Sequence, residues 1–194
     1  VISASHNDFL DNGIKIFNES GEKISREIEK RIENYLSSNL VPVETSQIGK
    51  AYRFDESGPR YIEFCKSTVP SDISFSSLRI VIDCANGACY KVSPKIFEEL
   101  GAEVITIGNL PDGYNINQEC GSTHPQIIKK AVIKHRADFG ISLDGDGDRV
   151  IIVDEKGTIL DGDDLLYILA FSNPNRVGPW SGVVGTLMSN LGLE

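Results

Sequence analysis

The chain has 194 residues, 40% hydrophobic and 24% charged, an ordinary composition for one or two globular domains. Its net charge of −9 argues against a nucleic-acid surface, which needs a basic stripe, so an anionic ligand must be met by local devices. The longest apolar runs, RVIIVD and DLLYILAF, are too short to span a bilayer, and no membrane partner is expected.

In chain order, VIS (1–3) reads as the end of a strand and ASHNDFLDNG (4–13) as a loop rich in turn formers. GIKIFN (13–18) is a second strand, and ESGEK (19–23) a turn. SREIEKRIENYL (25–36) carries apolar residues at 28, 32 and 36, which predicts a helix with Ser25 as N-cap. Residues 37–56 are polar and loop-like. GPRYIEFCKSTV (58–69) predicts a helix with Pro59 near its first turn, and PSDISFSS (70–77) reads as a linker.

From residue 78 the pattern alternates. LRIVIDC (78–84) is a buried-type strand, PKIFEELG (94–101) a helix stopped by Gly101, and AEVITIG (102–108) a strand. After the loop 109–125 come the helix QIIKKAVIKHRA (126–137), the strand DFGISLD (138–144) and the segment RVIIVDEKGTIL (149–160). DGDDLLYILAFS (161–172) opens a further helix, and GVVGTLMSN (182–190) reads as the start of one more α/β unit, a strand running into a helix. The expected fold class is α/β: layered α/β/α domains in series, with mixed, partly parallel sheets. Cys65, Cys84, Cys89 and Cys120 lack CxxC spacing and read as reduced thiols of a cytoplasmic protein. A strand under way at residue 1 without an initiator Met, and a last element without a stop signal, read as the ends of an internal piece of a longer protein.

The densest chemistry is SLDGDGDRVIIVDEKG (142–157), with Asp144, Asp146 and Asp148 in five positions. Like charges at that spacing repel unless a cation sits among them. An extended chain would hold Asp144 and Asp148 about 13 Å apart, so the loop must curl, and Gly145 and Gly147 are expected to permit it through φ values closed to other residues. An all-carboxylate set favours a hard ion, Mg²⁺ before Mn²⁺ and hardly zinc. An EF-hand calcium loop is excluded, because its sixth position, normally Gly, is Arg149 and the flanks are strand-like. The bland reading is a solvated acidic hairpin. The similar DGDD at 161–164 precedes a helix and is explained by capping from Asp161 or Asp163.

At the other end, SASHNDFLDNGIK (3–15) groups Ser3, Ser5, His6, Asn7 and Lys15 in one turn-rich stretch. Local reading leaves Ser5–Asp8 as a capping box, His6 as a polar loop residue, Lys15 as an exposed strand residue, and Ser3 as good a nucleophile candidate as Ser5.

The pair SASHN…NGIK and DGDGDR resembles the α-D-phosphohexomutase superfamily over essentially the whole chain. Within it, PDGYNINQECGSTHP (111–125) and GTLMSNLGLE (185–194) are similar to the bacterial phosphoglucosamine mutases. The resemblance implies that Ser5 carries a phosphoryl group and that Asp144, Asp146, Asp148 and an oxygen of that phosphate hold one Mg²⁺. It implies Lys15 and Arg149 as catalytic cations, with His6 and Asn7 orienting the loop or touching substrate. It also implies conversion of glucosamine 6-phosphate to glucosamine 1-phosphate through glucosamine 1,6-bisphosphate, with a small hexosamine phosphate as partner. The division expected is 1–70, the end of a first domain with the serine loop; 71–160, a second domain with the metal loop; and 161–194, the start of a third. One departure is Asp8, where the family usually has Pro after SHN. Rival readings are a phosphomannomutase/phosphoglucomutase and a non-catalytic metal- or phosphate-binding module.

Overall fold

A computed structural model describes residues 2–39, 41–171 and 184–190. The chain begins with a two-residue antiparallel pairing of β1 (Ile2–Ser3) and β2 (Gly13–Ile14). The strand predicted over 13–18 is therefore short: beyond Ile14 the pairing continues only as a Phe17–Lys23 bridge around a turn with Gly21 at φ +77°. Val1 lies outside the described residues. Helix α1 (Arg26–Leu36) starts where the pattern places it, with the Ser25 hydroxyl accepting from the Ile28 N–H and Glu27 and Glu29 in the positive first turn. Its apolar face stays open, lining a groove with Ile14 and Ile24. Among the described residues before 57, only Ser3 and Ala4 are buried.

Helix α2 (Ser57–Ser67) is followed by β3 (Arg79–Asp83), α3 (Val92–Glu99), β4 (Glu103–Ile107), α4 (Pro125–His135), β5 (Phe139–Leu143), β6 (Val150–Asp154), β7 (Ile159–Leu160) and α5 (Gly162–Phe171). The sheet order is β4-β3-β5-β6-β7; β4, β3 and β5 run parallel, whereas β6 and β7 return antiparallel. This is the mixed, partly parallel sheet of the expected α/β class.

Side-chain alternation along β3 divides the core. Val81 faces Ile128 and Val132 of α4, with Ala137 and Val153, whereas Ile80 and Ile82 point to the opposite face, where Phe97 of α3, Tyr90 and Phe139 cover them. Val81, Ile80, Ile82, Ile128, Val132 and Val153 are fully buried, each contributing about 1.5–3 kcal/mol relative to exposure. Close approach of α4 to β5 requires Gly140, where a Cβ would lie 2.6 Å from Val132. The segment 70–77 is more than a linker, since Phe75 packs edge-to-face on Phe97 at 5.9 Å between ring centroids. Helix α2 packs on α3, and Lys66 joins Glu99 at 2.8 Å. Helix α5 is capped as expected: Asp161 accepts from the N–H groups of Asp163 and Asp164. Of the strand predicted from 182, residues 184–190 are described and form a turn instead of a strand, while 182–183 and 191–194 lie outside the described residues. No described helix is long and apolar enough to cross a membrane.

The parallel strands β3 and β5 end together, so the loops after Asp83 and Leu143 share one edge of the sheet with the long loop 108–124. In open α/β sheets the carboxyl ends of the strands are where ligands bind.

Candidate functional site

The acidic loop is the connection of the β5–β6 hairpin, and the hairpin explains its curl. Asp144 is fully buried at the end of β5, and its Oδ1 accepts the backbone N–H groups of Gly147, Asp148 and Arg149 at 3.0, 3.2 and 3.3 Å. One carboxylate oxygen thus winds the loop while Oδ2 faces the serine loop, 3.4 Å from the Ser5 hydroxyl that donates to it. Gly147 supplies the expected left-handed residue, at φ +75°. Gly145 does not: its backbone is outside that region, and it is glycine for space. A Cβ there would sit 2.5 Å from both the Ser5 carbonyl oxygen and Ile116 Cδ1. The expectation of two left-handed glycines is corrected to one.

Asp144, Asp146 and Asp148 each offer a carboxylate oxygen, and these lie within 4.8 Å of one another. Octahedral ligands at about 2.1 Å from an ion lie about 3.0 to 4.2 Å apart, so small side-chain adjustments would close the set. Asp146 Oδ1 is buried with no hydrogen-bond partner, as expected of an oxygen reserved for a cation. The donor set, its spacing and this orphan oxygen fit a hard divalent ion.

Asp146 also forms an ion pair with Lys15, 131 positions away. Burial pushes the Asp146 carboxyl up, but the hydrogen bond and charge of Lys15 outweigh it and hold the carboxyl below its usual range. The bond to Asp146 in turn raises Lys15, which stays an ammonium. Asp144 moves the other way: burial, with its two acidic neighbours, raises it despite the backbone donors. A cation bound at the cluster would reverse that direction.

Ser5 sits at φ +54°, a left-handed conformation uncommon for serine. Its N–H donates to Ser3 Oγ at 3.0 Å, and Asn7 N–H donates to the Ala4 carbonyl at 3.0 Å, making a tight turn. Ser3 is buried in this bracing role, and of the two hydroxyls Ser5's is the one directed at the carboxylates. The capping-box reading of Ser5 does not hold, because Asp8 instead caps the 3-10 turn Phe9–Asp11 by accepting from Leu10 N–H. The Ser5 carbonyl is bound twice, by Gly145 N–H at 2.9 Å and Asn117 Nδ2 at 2.7 Å.

The remaining predicted residues stand farther out. Arg149 contributes its backbone to Asp144, while its exposed side chain forms no ion pair with any described residue. His6 and Asn7 line a cavity of about 530 Å³ with Tyr114, Asn117 and His124, and His6 Nδ1 is buried without a partner.

Sequence reasoning missed three residues. Asn117 lies in a stretch noted only as a family marker. Asp83, fully buried at the end of β3, accepts from Ala85 N–H, Gly121 N–H and the Ser142 hydroxyl. Cys89 Sγ fills the space beside Gly147, 2.3 Å from where a Cβ would fall. An acidic residue ending an otherwise apolar strand was the available signal for Asp83. For the other two no local signal exists. All four cysteines are free, and burial pushes Cys84 and Cys120 up to about 12, so both stay protonated.

A family model described as phosphoglucomutase/phosphomannomutase, alpha/beta/alpha domain II, matches residues 59–157, and the corresponding domain I model matches residues 1–40. The chain belongs to the phosphoglucomutase/phosphomannomutase family. Over its whole length it is 57% identical to the phosphoglucosamine mutases of Marinomonas sp. (strain MWYL1) and Pseudomonas fluorescens (strain Pf0-1), and 55% identical to that of Legionella pneumophila (strain Lens). It spans 43–44% of the length of these curated relatives. A crystal structure of a phosphoglucomutase/phosphomannomutase family protein from Burkholderia thailandensis superimposes with a TM-score of 0.63 at 26% identity, covering 88% of this chain and 36% of that one.

Proposed function

We propose that the complete protein containing these residues is a phosphoglucosamine mutase, interconverting glucosamine 6-phosphate and glucosamine 1-phosphate through a phosphorylated Ser5 and glucosamine 1,6-bisphosphate. The observation that carries this reading is the Ser5 hydroxyl facing Asp144 Oδ2 across 139 positions, inside a three-carboxylate cluster. The 54–57% identity to phosphoglucosamine mutases supports the substrate class.

Asp144, Asp146 and Asp148, with an oxygen of the Ser5 phosphate, are proposed to hold one Mg²⁺. Bound there, it supplies positive charge at the phosphoryl oxygens, where phosphoryl transfer needs it. The chain's own residues do the rest. The turn at Ser5 presents Oγ to the incoming sugar. A sugar hydroxyl oxygen forms the new bond to phosphorus as the bond to Ser5 Oγ breaks; the proton that Lys15 gives to Oγ is replaced by the one the sugar hydroxyl loses, so the ammonium is restored. The protonated Lys15, held beside Asp146, is proposed to offset the negative excess and to deliver a proton to Ser5 Oγ as it leaves. Arg149, at the rim with its guanidinium exposed, suits a bidentate grip on a substrate phosphate. His6 and Asn7 keep the proposed role of shaping the loop and its adjoining cavity. Residues 1–70, 71–160 and 161–194 are proposed as parts of three successive domains; the packing of α2 on α3 supports starting the second as early as Ser57. The four free thiols suit a reducing, cytoplasmic setting.

The test is Mg²⁺-dependent turnover by the complete protein of glucosamine 6-phosphate beside glucose and mannose 6-phosphates, primed with the matching 1,6-bisphosphate. Preference for the amino sugar is expected. Preference for a neutral sugar would overturn the substrate but keep the chemistry, and no turnover would favour a binding module. Ser5→Ala is expected to abolish turnover; substantial retained activity refutes Ser5 as the phosphoryl carrier.

A further inference from the structure

The Ser5 turn lies at the far end of the chain from the loop it serves, and its residue at φ +54° needs outside support. We infer that Asn117 is the positioning residue that clamps the serine loop onto the metal loop, an inference that rests on the mutase reading above. Asn117 is 6% exposed and has its own left-handed backbone, at φ +56°. That conformation suits asparagine better than almost any other residue with a side chain. Both amide hydrogens are committed: Nδ2 donates to the Ser5 carbonyl and to the Asn7 carbonyl, each at 2.7 Å and over more than 100 positions of chain. One planar group therefore spans the turn that contains Ser5, His6 and Asn7.

The clamp is anchored in the sheet. Asn117 N–H donates to the Ala85 carbonyl at 2.8 Å, and Ala85 N–H donates to the buried Asp83 carboxylate at the end of β3. Asp83 also accepts Gly121 N–H, which closes the loop that follows Asn117. On the other side the Ser5 carbonyl takes its second hydrogen bond from Gly145 N–H, inside the acidic loop. A continuous path runs from β3 through Asn117 to the Ser5 peptide and on to the residue after Asp144. It sets the separation of Ser5 Oγ from Asp144 Oδ2 without touching either atom.

The experiment compares Asn117→Gly and Asn117→Asp in the complete protein. Glycine keeps the left-handed backbone and removes both donors. Aspartate keeps the shape but turns an oxygen toward two carbonyls, and if it fails to fold, the glycine variant carries the test. Hydrogen exchange is read at residues 4–9 and at the Gly145 amide, with kcat and KM for the sugar phosphate. For Asn117→Gly, exchange is expected to accelerate in those two segments and not in β3–β6. With it, kcat should fall about 10²-fold, as for a misplacement of about 1 Å, while KM changes little. Unchanged exchange at both segments overturns the clamp whatever the activity. Exchange that quickens equally throughout the sheet also overturns it, in favour of a general structural role. A wild-type protein that turns over no sugar phosphate refutes the mutase reading, and the exchange data still decide the clamp.

Discussion

Adding one methyl group at Gly145 tests the contact on which the site depends. In Gly145→Ala the new Cβ would lie 2.5 Å from the Ser5 carbonyl oxygen, and ordinary contact begins near 3.4 Å, so the two must part by about 0.9 Å. Ile116, the other neighbour at 2.5 Å, is a side chain that can rotate away. The Ser5 carbonyl is held by Asn117 and by Gly145 itself. Relief therefore comes from separating the serine turn from the acidic loop, which stretches the 2.9 Å bond from Gly145 N–H and lengthens the 3.4 Å approach of Ser5 Oγ to Asp144. Overpacking of this kind costs about 1–3 kcal/mol of stability, and misplacing a reacting group by about 1 Å costs about 10²-fold in rate. The assay is steady-state turnover of the complete protein over a range of Mg²⁺ concentrations, with a thermal melt. The expected result is a kcat lower by about 10²-fold and a protein that still melts cooperatively. Gly13→Ala, where no atom lies within 4 Å of the new Cβ, serves as the silent control. A Gly145→Ala enzyme with wild-type kcat would refute the reasoning, because it would mean that the contact between the two loops does not position Ser5.

On the proposed mutase reading, Asp146→Asn removes a ligand charge and an ion-pair partner of Lys15, so activity and Mg²⁺ dependence are expected to disappear together. Calorimetric titration should show an affinity loss exceeding the about 10- to 100-fold seen when an outer-shell partner is removed, and an unchanged titration would sink the ligand assignment. Asp83→Asn places an amide against N–H donors from Ala85 and Gly121 and should cost about 1–3 kcal/mol. Burial raises the Asp83 carboxyl above its ordinary value, outweighing its hydrogen bonds. Its protonated form is therefore favoured by folding, and wild-type stability from this group falls as pH rises from about 4 through the raised value. Urea midpoints should show the cost of Asp83→Asn shrinking over that interval; a cost that grows with pH contradicts the sign. Asp161→Ala frees two N–H groups at the start of α5 and should lower stability by about 1 kcal/mol in the same measurement, and no change would dismiss the cap.

Much of this protein was legible in one dimension. Elements whose signals are local emerged where the pattern put them: the Ser25 cap of α1, the Gly101 stop after α3, the buried strand β3 and the Asp161 cap of α5. Capping and periodicity act over one or two turns of chain, so the residues that cause them are the residues that show them. The clustering of the three aspartates was also legible, because three carboxylates in five positions stay close in any curled loop, and their oxygens lie within 4.8 Å of one another.

Contacts across the chain carried no such mark. The length of β2 depended on how much of β1 it could pair with, not on its own apolar residues. Gly145 was assigned to backbone freedom when its reason was the Ser5 carbonyl, 140 positions earlier. Whether Ser3 or Ser5 faced the acidic loop, and that Lys15 would pair with Asp146, followed only from the loops meeting at one edge of the sheet. Asn117 and Asp83 are ordinary residues in sequence, and their weight comes from where burial puts their hydrogen bonds. The sequence by itself determined which chemical groups were present and which local elements would carry them. The tertiary structure decided which groups face one another, because the burial that drives folding has no direction, and direction enters only when the assembled sheet brings these loops within hydrogen-bond reach.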